Sequence, residues 1–436
     1  MTPRILTDRS RIETFQKCPR LRYWQYEYCA QGLDLDGSAT ALNIGSAVHA
    51  GVGEYLQGQL DRDSDTSPDL LPIALQAALA TPEFAALEVQ EDRDLVEALV
   101  RTWWFAGLPT LDGWVVLSVE REEAFDREVA DPKSSVYFFD PKQINPLDLT
   151  DDKVGALIPV HDLDVIARVP RMQTVRLMTR SDWLASTSGL QSLNNAPVAP
   201  GVYNWNLKTW RTCDDRRVRS LDYDAQLSTE LLGPEARLGQ RLAGNVWQVL
   251  IKENHPLVWC WRSAKRGDIA HRFSWHCEAS HMNTHKKNPD LCPGDKWHKL
   301  GDDYERVLVR DVYASQQAAF EKLMADSPAI LHDFHRVLGP YSRRSDYEID
   351  RWCRQNLVRE ARLADVRSLE PLGEEVLDEH FPQDTAHGNC LWPSECPALN
   401  FCWGAATPES FEWRVPNHQA EKDAVGTGNL GPIIGI

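Results

Sequence analysis

The chain of 436 residues contains no apolar run near the roughly 20 residues that a membrane-spanning helix needs. Its first stretch, Met1 to Ser10, lacks the apolar segment of a signal peptide. The expectation is a cytoplasmic protein with no membrane partner, whose thiols stay reduced. No segment recurs with a fixed period, which excludes a solenoid or propeller of repeats. The pattern Gly-x₄-Gly-Lys-Ser/Thr is missing, so the chain supplies no P-loop ATP motor. Positive charge is scarce as well. There are 47 Lys+Arg against 64 Asp+Glu, a formal net charge of -17. That balance argues against a protein that coats nucleic acid without regard to sequence.

What is present is an ordinary globular composition, 42% apolar and 25% charged, which excludes disorder as the main state. The length suits one large domain with insertions, or two to three smaller ones. The 10 Cys, in a reducing compartment, are expected to be free, buried or metal-bound rather than paired.

The pattern along the chain predicts a mixed α/β core with helical additions. Ser10 and Glu13 read as a capping box, and Cys18-Pro19 interrupts the helix they open. Ile44 to Gln59 and Asp92 to Phe105 fit two further helices. Trp114 to Val119 is a strand closed by Glu120. Leu157 to Val169 and Thr174 to Ala185 read as two more extended segments, with a turn at Pro170-Arg171. Ser186 to Pro200 is a loop, Val202 to Leu207 a strand ending in Lys208-Thr209, and Tyr223 to Leu232 a helix. Asn245 to Ile251 and Leu257 to Trp261 are strands, and Asp311 to Met324 and Asp346 to Asp365 helices. The expected division is a helical region over 1–110, a core over 111–262, a polar His/Cys-containing insertion over 263–310, a helical region with a cysteine loop over 311–412, and a tail over 413–436.

Four features follow one another in an informative order. His49 lies inside Gly45-Ser46-Ala47-Val48-His49-Ala50, on a helix. Asp182 lies in Arg180-Ser181-Asp182-Trp183, at the end of an extended run. Asn206-Leu207-Lys208-Thr209 ends a strand, and Asp224-Ala225-Gln226 opens the next helix. In that order of His, Asp, x-Lys and Gln the chain resembles the PD-(D/E)XK nuclease superfamily, and within it the RecB/AddB-type, CRISPR-associated and phage iron–sulfur exonucleases. The resemblance implies a restriction-endonuclease-like mixed sheet flanked by helices. It implies a metal-dependent DNA nuclease, an exonuclease on single-stranded or end-bearing DNA, working in recombination, repair or end processing. A helicase or recombination protein would be its partner.

The residue types suit that chemistry. Phosphodiester hydrolysis needs a charge clamp and an activated water, which Mg²⁺ or Mn²⁺ supplies. Asp182 would be the main carboxylate ligand, His49 a nitrogen ligand, and the Leu207 carbonyl a further oxygen. Lys208 would stabilise charge on the phosphate or orient the water, and Gln226 would hydrogen-bond the lysine or the water. The position before Lys208 departs from the pattern. Asn206 offers an amide oxygen to the metal but no charge, so a catalytically silent DNA- or protein-binding member of the same fold is the alternative. Asp164 competes with Asp182 as the motif aspartate. Asp182 is preferred for its closeness to Lys208 and its Arg-x-Asp setting. Glu120 is either an extra ligand or the cap of its strand.

Cys390, Cys396 and Cys402 stand with five residues between each pair, in a loop broken by Pro393, Pro397 and Gly404. Cys18 precedes the core. The iron–sulfur relatives have one cysteine before the nuclease core and three after it, so the resemblance implies a 4Fe-4S cluster on these four, with Zn²⁺ as the alternative. Closing a loop of about 370 residues costs roughly 5 kcal/mol. A thiolate metal site contributes on the order of 10 kcal/mol. In the insertion, Cys277, His281, Cys292 and His298 match no standard zinc spacing and read as polar loop.

Local charge qualifies the net charge. Arg4 to Arg22 holds six basic and two acidic residues. Arg211, Arg216, Arg217 and Trp210 follow Lys208 and are candidate DNA contacts. Tyr23, Trp24, Tyr26 and Tyr28 suit either stacking on unpaired bases or core packing.

Overall fold

The computed structural model describes residues 4–35, 40–61, 70–139, 165–193, 196–221, 226–265, 267, 269–271, 274–277, 296–299, 304–368, 370–383, 396–402, 404–416, 418–419, 421–422 and 434–435. Strand β1 (Arg4–Asp8) leads directly into helix α1 (Arg9–Lys17). The N-cap of α1 is Asp8, whose side chain accepts the Arg11 N–H at 2.9 Å, and not the expected Ser10. The reason is that β1 stays paired through Asp8, so the helix can start only after it and Asp8 is the acceptor at hand. Cys18 ends α1 in extended backbone and Pro19 opens α2 (Pro19–Arg22), as the sequence predicts. Then come α3 (Thr40–Leu60), α4 (Leu71–Leu79), α5 (Pro82–Ala85) and α6 (Gln90–Thr102).

The strands form two main sheets joined by one bent ribbon. β2 (Val115–Val119) and β3 (Glu122–Phe139) make its first arm, and β4 (Val165–Arg180) and β5 (Trp183–Thr187) its return. β2 pairs antiparallel with β5, and β3 with β4. The ribbon bends at Glu120-Arg121 and Ser181-Asp182, where it leaves one sheet for the other. The expected turn at Pro170-Arg171 does not form; β4 runs through it. Pro170 cannot donate to the ladder, and it sits at a register shift between Asp131 and Ser135 of β3, where a donor is not needed.

After the short hairpin β6 (Ser192–Leu193) and β7 (Ala196–Pro197) comes β8 (Gly201–Trp210), which extends past Lys208. Tyr203 to Leu207 are all buried, so both faces of β8 are covered. α7 (Asp215–Ser220), α8 (Gln226–Leu238) and β9 (Gly244–Ile251) follow. β9 lies parallel to β8, the one parallel pair of its sheet among the described residues.

β10 (Trp259–Ser263) and β14 (Tyr304–Leu308) pair with each other and close off the polar insertion. Between them lie β11 (Ile269–Ala270), β12 (Ser274–Cys277) and β13 (Lys296–Lys299). After α9 (Gln316–Asp326), β15 (His335–Ser342) adds to the edge of β9, a strand the sequence did not announce. α10 (Asp346–Asp365) carries a capping box at Ser345 and Glu348. α11 (Glu374–His380), α12 (Leu399–Cys402) and β16 (Ile434–Gly435) complete the described elements.

The sheet orders are β15-β9-β8-β5-β2 and β16-β1-β4-β3. The main core lies between the first sheet and α3, α4 and α6. Tryptophans fill it: Trp103, Trp183 and Trp205 are at most 1% exposed, and Trp183 stacks on Trp205 with centroids 5.8 Å apart. α8 packs against β3, β4 and β9. Among the described residues no helix is long and apolar enough to cross a membrane.

Candidate functional site

The bend of the ribbon brings two carboxylates together. Glu120 adopts φ +47°, a left-handed backbone that costs a non-glycine residue about 1 kcal/mol or more. Its N–H donates to the Asp182 carbonyl at 2.8 Å, so the two crossings are clamped side by side. α3 runs past this point, with His49 Nδ1 3.4 Å from Asp182 Oδ1. His49, Glu120 and Asp182 each present a ligand atom, all within 4.8 Å of one another. Gly53, one helical turn after His49, lies beside Glu120: a Cβ there would meet Glu120 Cγ at 3.4 Å, an ordinary contact.

Each donor is held from behind. Asp182 Oδ2 accepts the Leu207 N–H at 2.6 Å, which ties the loop to β8. Leu207 thus enters through its amide, while its side chain is buried in the core. Glu120 is paired with Arg180 through Oε2. Burial alone would raise the Asp182 pKa, yet His49, Lys208 and the Leu207 N–H bring it down to about 2. Burial would lower the His49 pKa, but the Asp182 carboxylate prevails and raises it. A pair of carboxylates and one imidazole, converging and half-exposed, is the donor set of a hard divalent cation.

The cluster opens into a groove of about 1130 Å³. One wall is α3, with Ala41, Leu42, Gly45, Ser46 and His49; the other carries Lys208, Thr209, Trp210, Arg211, Arg217 and Lys252. Lys208 Nζ lies 5.4 Å from the Trp247 ring centroid, which steadies its stem at the site. The Arg217 guanidinium covers Trp210 at 4.4 Å. Arg211 is bonded to Glu253 at 2.9 Å and largely exposed, and Arg216 is exposed on α7 and is not part of the groove lining. Lys252 ends the stretch Leu242 to Lys252, which resembles a strand of the phage relatives but assigns it no role, and Gly53 had no signal in sequence; the fold brings both to the site.

Other expected residues fall elsewhere. Asn206 is 1% exposed, opposite Trp247 on β9, and does not line the groove. Gln226 opens α8, and only its backbone is described. Asp164 and Cys390 lie outside the described residues, as do His281 and Cys292. Cys277 and His298 are on paired strands, with Cys277 opposite Lys296 and His298 opposite Trp275. Cys396 and Cys402 pack against a cluster that includes Tyr23, Phe381 and Phe401, and Phe15 and Leu21, on either side of Cys18, pack against the same cluster. Cys260 and Cys353 are core thiols, each pushed up to about 11 chiefly by burial.

Half of the basic residues in the N-terminal stretch are turned inward. Arg11, Arg20 and Arg22 are at most 3% exposed and paired with acids. Tyr23, Tyr26 and Tyr28 are buried, and Trp24 stacks on Phe401 at 4.6 Å, so the aromatic cluster is core.

A family model for the PD-(D/E)XK nuclease superfamily matches residues 9–148, less than half of the chain. The matched span includes His49 and Glu120 and ends before Asp182. No curated protein matches the chain. The mixed sheets flanked by helices agree with a PD-(D/E)XK fold, and the family to which this segment is similar suggests a nuclease that hydrolyses phosphodiester bonds in DNA.

Proposed function

We propose that the chain is a metal-dependent deoxyribonuclease, an exonuclease on single-stranded or end-bearing DNA in recombination, repair or end processing. The convergence of His49, Glu120 and Asp182 within 4.8 Å on the floor of a groove carries this reading. The donor set, two carboxylates and one imidazole, fits Mg²⁺ or Mn²⁺. When bound, the cation supplies charge for the scissile phosphate and makes a water more acidic.

The chain's own groups do the rest. Asp182, ionised at any working pH, and Glu120 hold negative charge where the cation belongs. His49 offers its nitrogen in the neutral form only. Lys208 faces the groove beside them and would neutralise charge that develops on the phosphate as water attacks phosphorus and the bond to the 3′ oxygen breaks. The products are a 5′-phosphate and a 3′-hydroxyl. Glu120 takes over the charge that the motif loses at Asn206, because its carboxylate is at the cluster and the Asn206 amide is buried away from the groove lining.

Cleavage of a labelled oligonucleotide with Mn²⁺ tests this. Equal residual cleavage by wild type and Asp182→Ala would sink the enzyme and leave a DNA- or partner-binding member of the fold, a reading that the neutral Asn206 favours.

The cysteines support a second metal centre, a 4Fe-4S cluster on Cys18, Cys390, Cys396 and Cys402. The packing of Phe15, Leu21, Cys396 and Cys402 on one aromatic cluster supports it. Iron and sulfide in anaerobically purified protein, with absorbance near 400 nm, are expected. Zinc without iron would replace the cluster by a structural zinc site.

A further inference from the structure

We propose that His418, in the C-terminal segment, is a positioning residue of the metal site. With the Gln419 N–H it holds the Glu122 carboxylate, which leaves Arg180 to Glu120 and keeps the ribbon bent at the cluster. The inference rests on the metal-dependent reading above and adds to it a group far from the motif in sequence.

The bend is where the site can slip. Glu120 is held at φ +47°, and a strained backbone of that kind persists only where its surroundings over-determine it. The bond from its N–H to the Asp182 carbonyl restrains one side. Two residues on, Glu122 opens β3, and its carboxylate is gripped by the tail. Oε2 accepts the Gln419 N–H at 3.2 Å, and Oε1 lies 3.4 Å from His418 Nδ1. The other ring nitrogen, Nε2, lies 3.9 Å from Asp8 Oδ2, at the end of β1. One imidazole thus stands between the end of β1 and the start of β3.

Charge gives this grip its use. Glu122 is the partner of Arg180 in the β3–β4 ladder, and opposite charges facing each other across a ladder attract. The Arg180 guanidinium is nevertheless bonded to Glu120 Oε2. One cation serves two carboxylates, and by taking Glu122 the tail decides which one it serves. A released Glu122 would compete for Arg180, and Glu120 would lose the partner that aims it at the cluster. The tail is anchored on both sides of His418. Trp413 bridges to Leu33, and the Arg414 N–H donates to the Gly32 carbonyl at 3.0 Å. Further on, Glu421 is 2% exposed and paired with Arg11. Neither anchor uses His418, so its ring can be changed while the segment stays in place.

Calorimetric titration of the full chain with Mn²⁺, without DNA, is the test. His418→Ala should weaken Mn²⁺ binding about 5-fold, below the roughly 10-fold that loss of a ligand's own hydrogen-bond partner costs. His418→Asn, whose amide N–H takes the place of Nδ1 beside Glu122, should bind nearly as wild type does. In a Glu122→Ala background, His418→Ala should have no further effect, because the carboxylate it holds is gone. An imidazole that acted only through its charge would give the opposite sign, since its removal beside a cation site leaves affinity unchanged or raises it. Affinity of His418→Ala equal to or above wild type therefore overturns the proposal, and so does an equal loss with and without Glu122. Asp182→Ala, titrated beside them, keeps the two readings apart. If it binds Mn²⁺ as wild type does, the cation is not at this cluster and both fall; if it loses binding while His418→Ala keeps it, only the positioning role falls.

Discussion

Two groups of charges in this molecule are built from the same residue types and treated in opposite ways. Behind α1, Arg22 and Glu360 are fully buried, and Arg22 Nη2 reaches Glu27 at 2.6 Å and Glu360 at 2.9 Å. Arg367 meets Glu27 at 2.5 Å, Arg11 pairs with Glu421, and Thr7 donates to Glu360 at 2.8 Å. The guanidinium of Arg11 or Arg22 lies over Tyr26 at 5.3 or 5.4 Å. Each of these charges is buried against an opposite one, and together they join β1, α1, α2, α10 and the tail. In the groove the His49 and Asp182 side chains keep 24% and 18% of their surface, and Glu120 keeps 27%. There two carboxylates share one imidazole and one arginine, and solvent reaches them. Ion pairs buried between elements fix a fold; charges converging at an open surface leave capacity for a cation.

The largest expected effects break the two sides separately. Asp182→Ala should lower Mn²⁺-dependent cleavage about a thousandfold, equivalent to about 4 kcal/mol in the barrier, and cost less stability than Arg22→Ala, since it loses the Leu207 hydrogen bond but strands no buried charge. Arg22→Ala should do the reverse. Removing one partner leaves Glu27 and Glu360 buried with too little positive charge, at a cost of about 3–5 kcal/mol. Urea denaturation reads that loss, and cleavage per folded molecule should hold. If Arg22→Ala proved as stable as wild type, the buried cluster would not be what joins the N-terminal helices to α10.

Acid sharpens the contrast. Burial pushes the Glu27 pKa up, but Arg367, Arg22 and Arg11 outweigh it and hold it at about 2. Its contribution is therefore whole above the unfolded value of 4.5 and disappears as pH falls towards 2. The size is on the order of 3 kcal/mol at full loss. Burial depresses His255 to about 3, so its neutral form begins to weigh against folding below 6.5. Stability measured by denaturant should fall from pH 6.5 downward and more steeply below 4.5. In a Glu27→Gln variant the steep part should flatten. An unchanged acid limb in that variant would remove Glu27 from the account.

Much of this was legible in the sequence, and the reasons for what was not are local. α3, α6 and α10 show their apolar spacing, and Cys18-Pro19 marks its break. His49, Asp182 and Lys208 stood in a recognisable order, and they do meet. The bend of the ribbon was not legible, because no composition change marks the point where β2 becomes β3; Glu120-Arg121 looks like any strand end. Glu120 read more readily as a strand cap than as a ligand; its φ of +47° and its bond to Asp182 set it at the cluster. The basic stretch from Arg4 to Arg22 misled because sequence counts charges without showing which are buried. The acids that neutralise it, Glu360, Arg367's partner Glu27 and Glu421, are partly hundreds of residues away. A net charge of -17 says as little about the groove, whose cations come from β8, α7 and the end of β9.

The smallest expected effect bears most directly on how the groove was assembled. Asn206 is buried beside Trp247, and Glu120 stands at the cluster instead. If Glu120 has taken over the missing charge, Asn206→Asp adds a buried carboxylate on β8, the third near a site that already holds two. Its desolvation opposes the extra attraction for the cation, so only a several-fold gain in Mn²⁺ affinity is expected in wild type. In a Glu120→Gln background the same change should matter more, because it restores a charge instead of adding one. Calorimetric Mn²⁺ titration of the four proteins in that cycle reads the coupling without relying on cleavage. A gain that is equal in both backgrounds would mean that the two carboxylates act independently, and Glu120 would then be a strand cap that happens to face the metal.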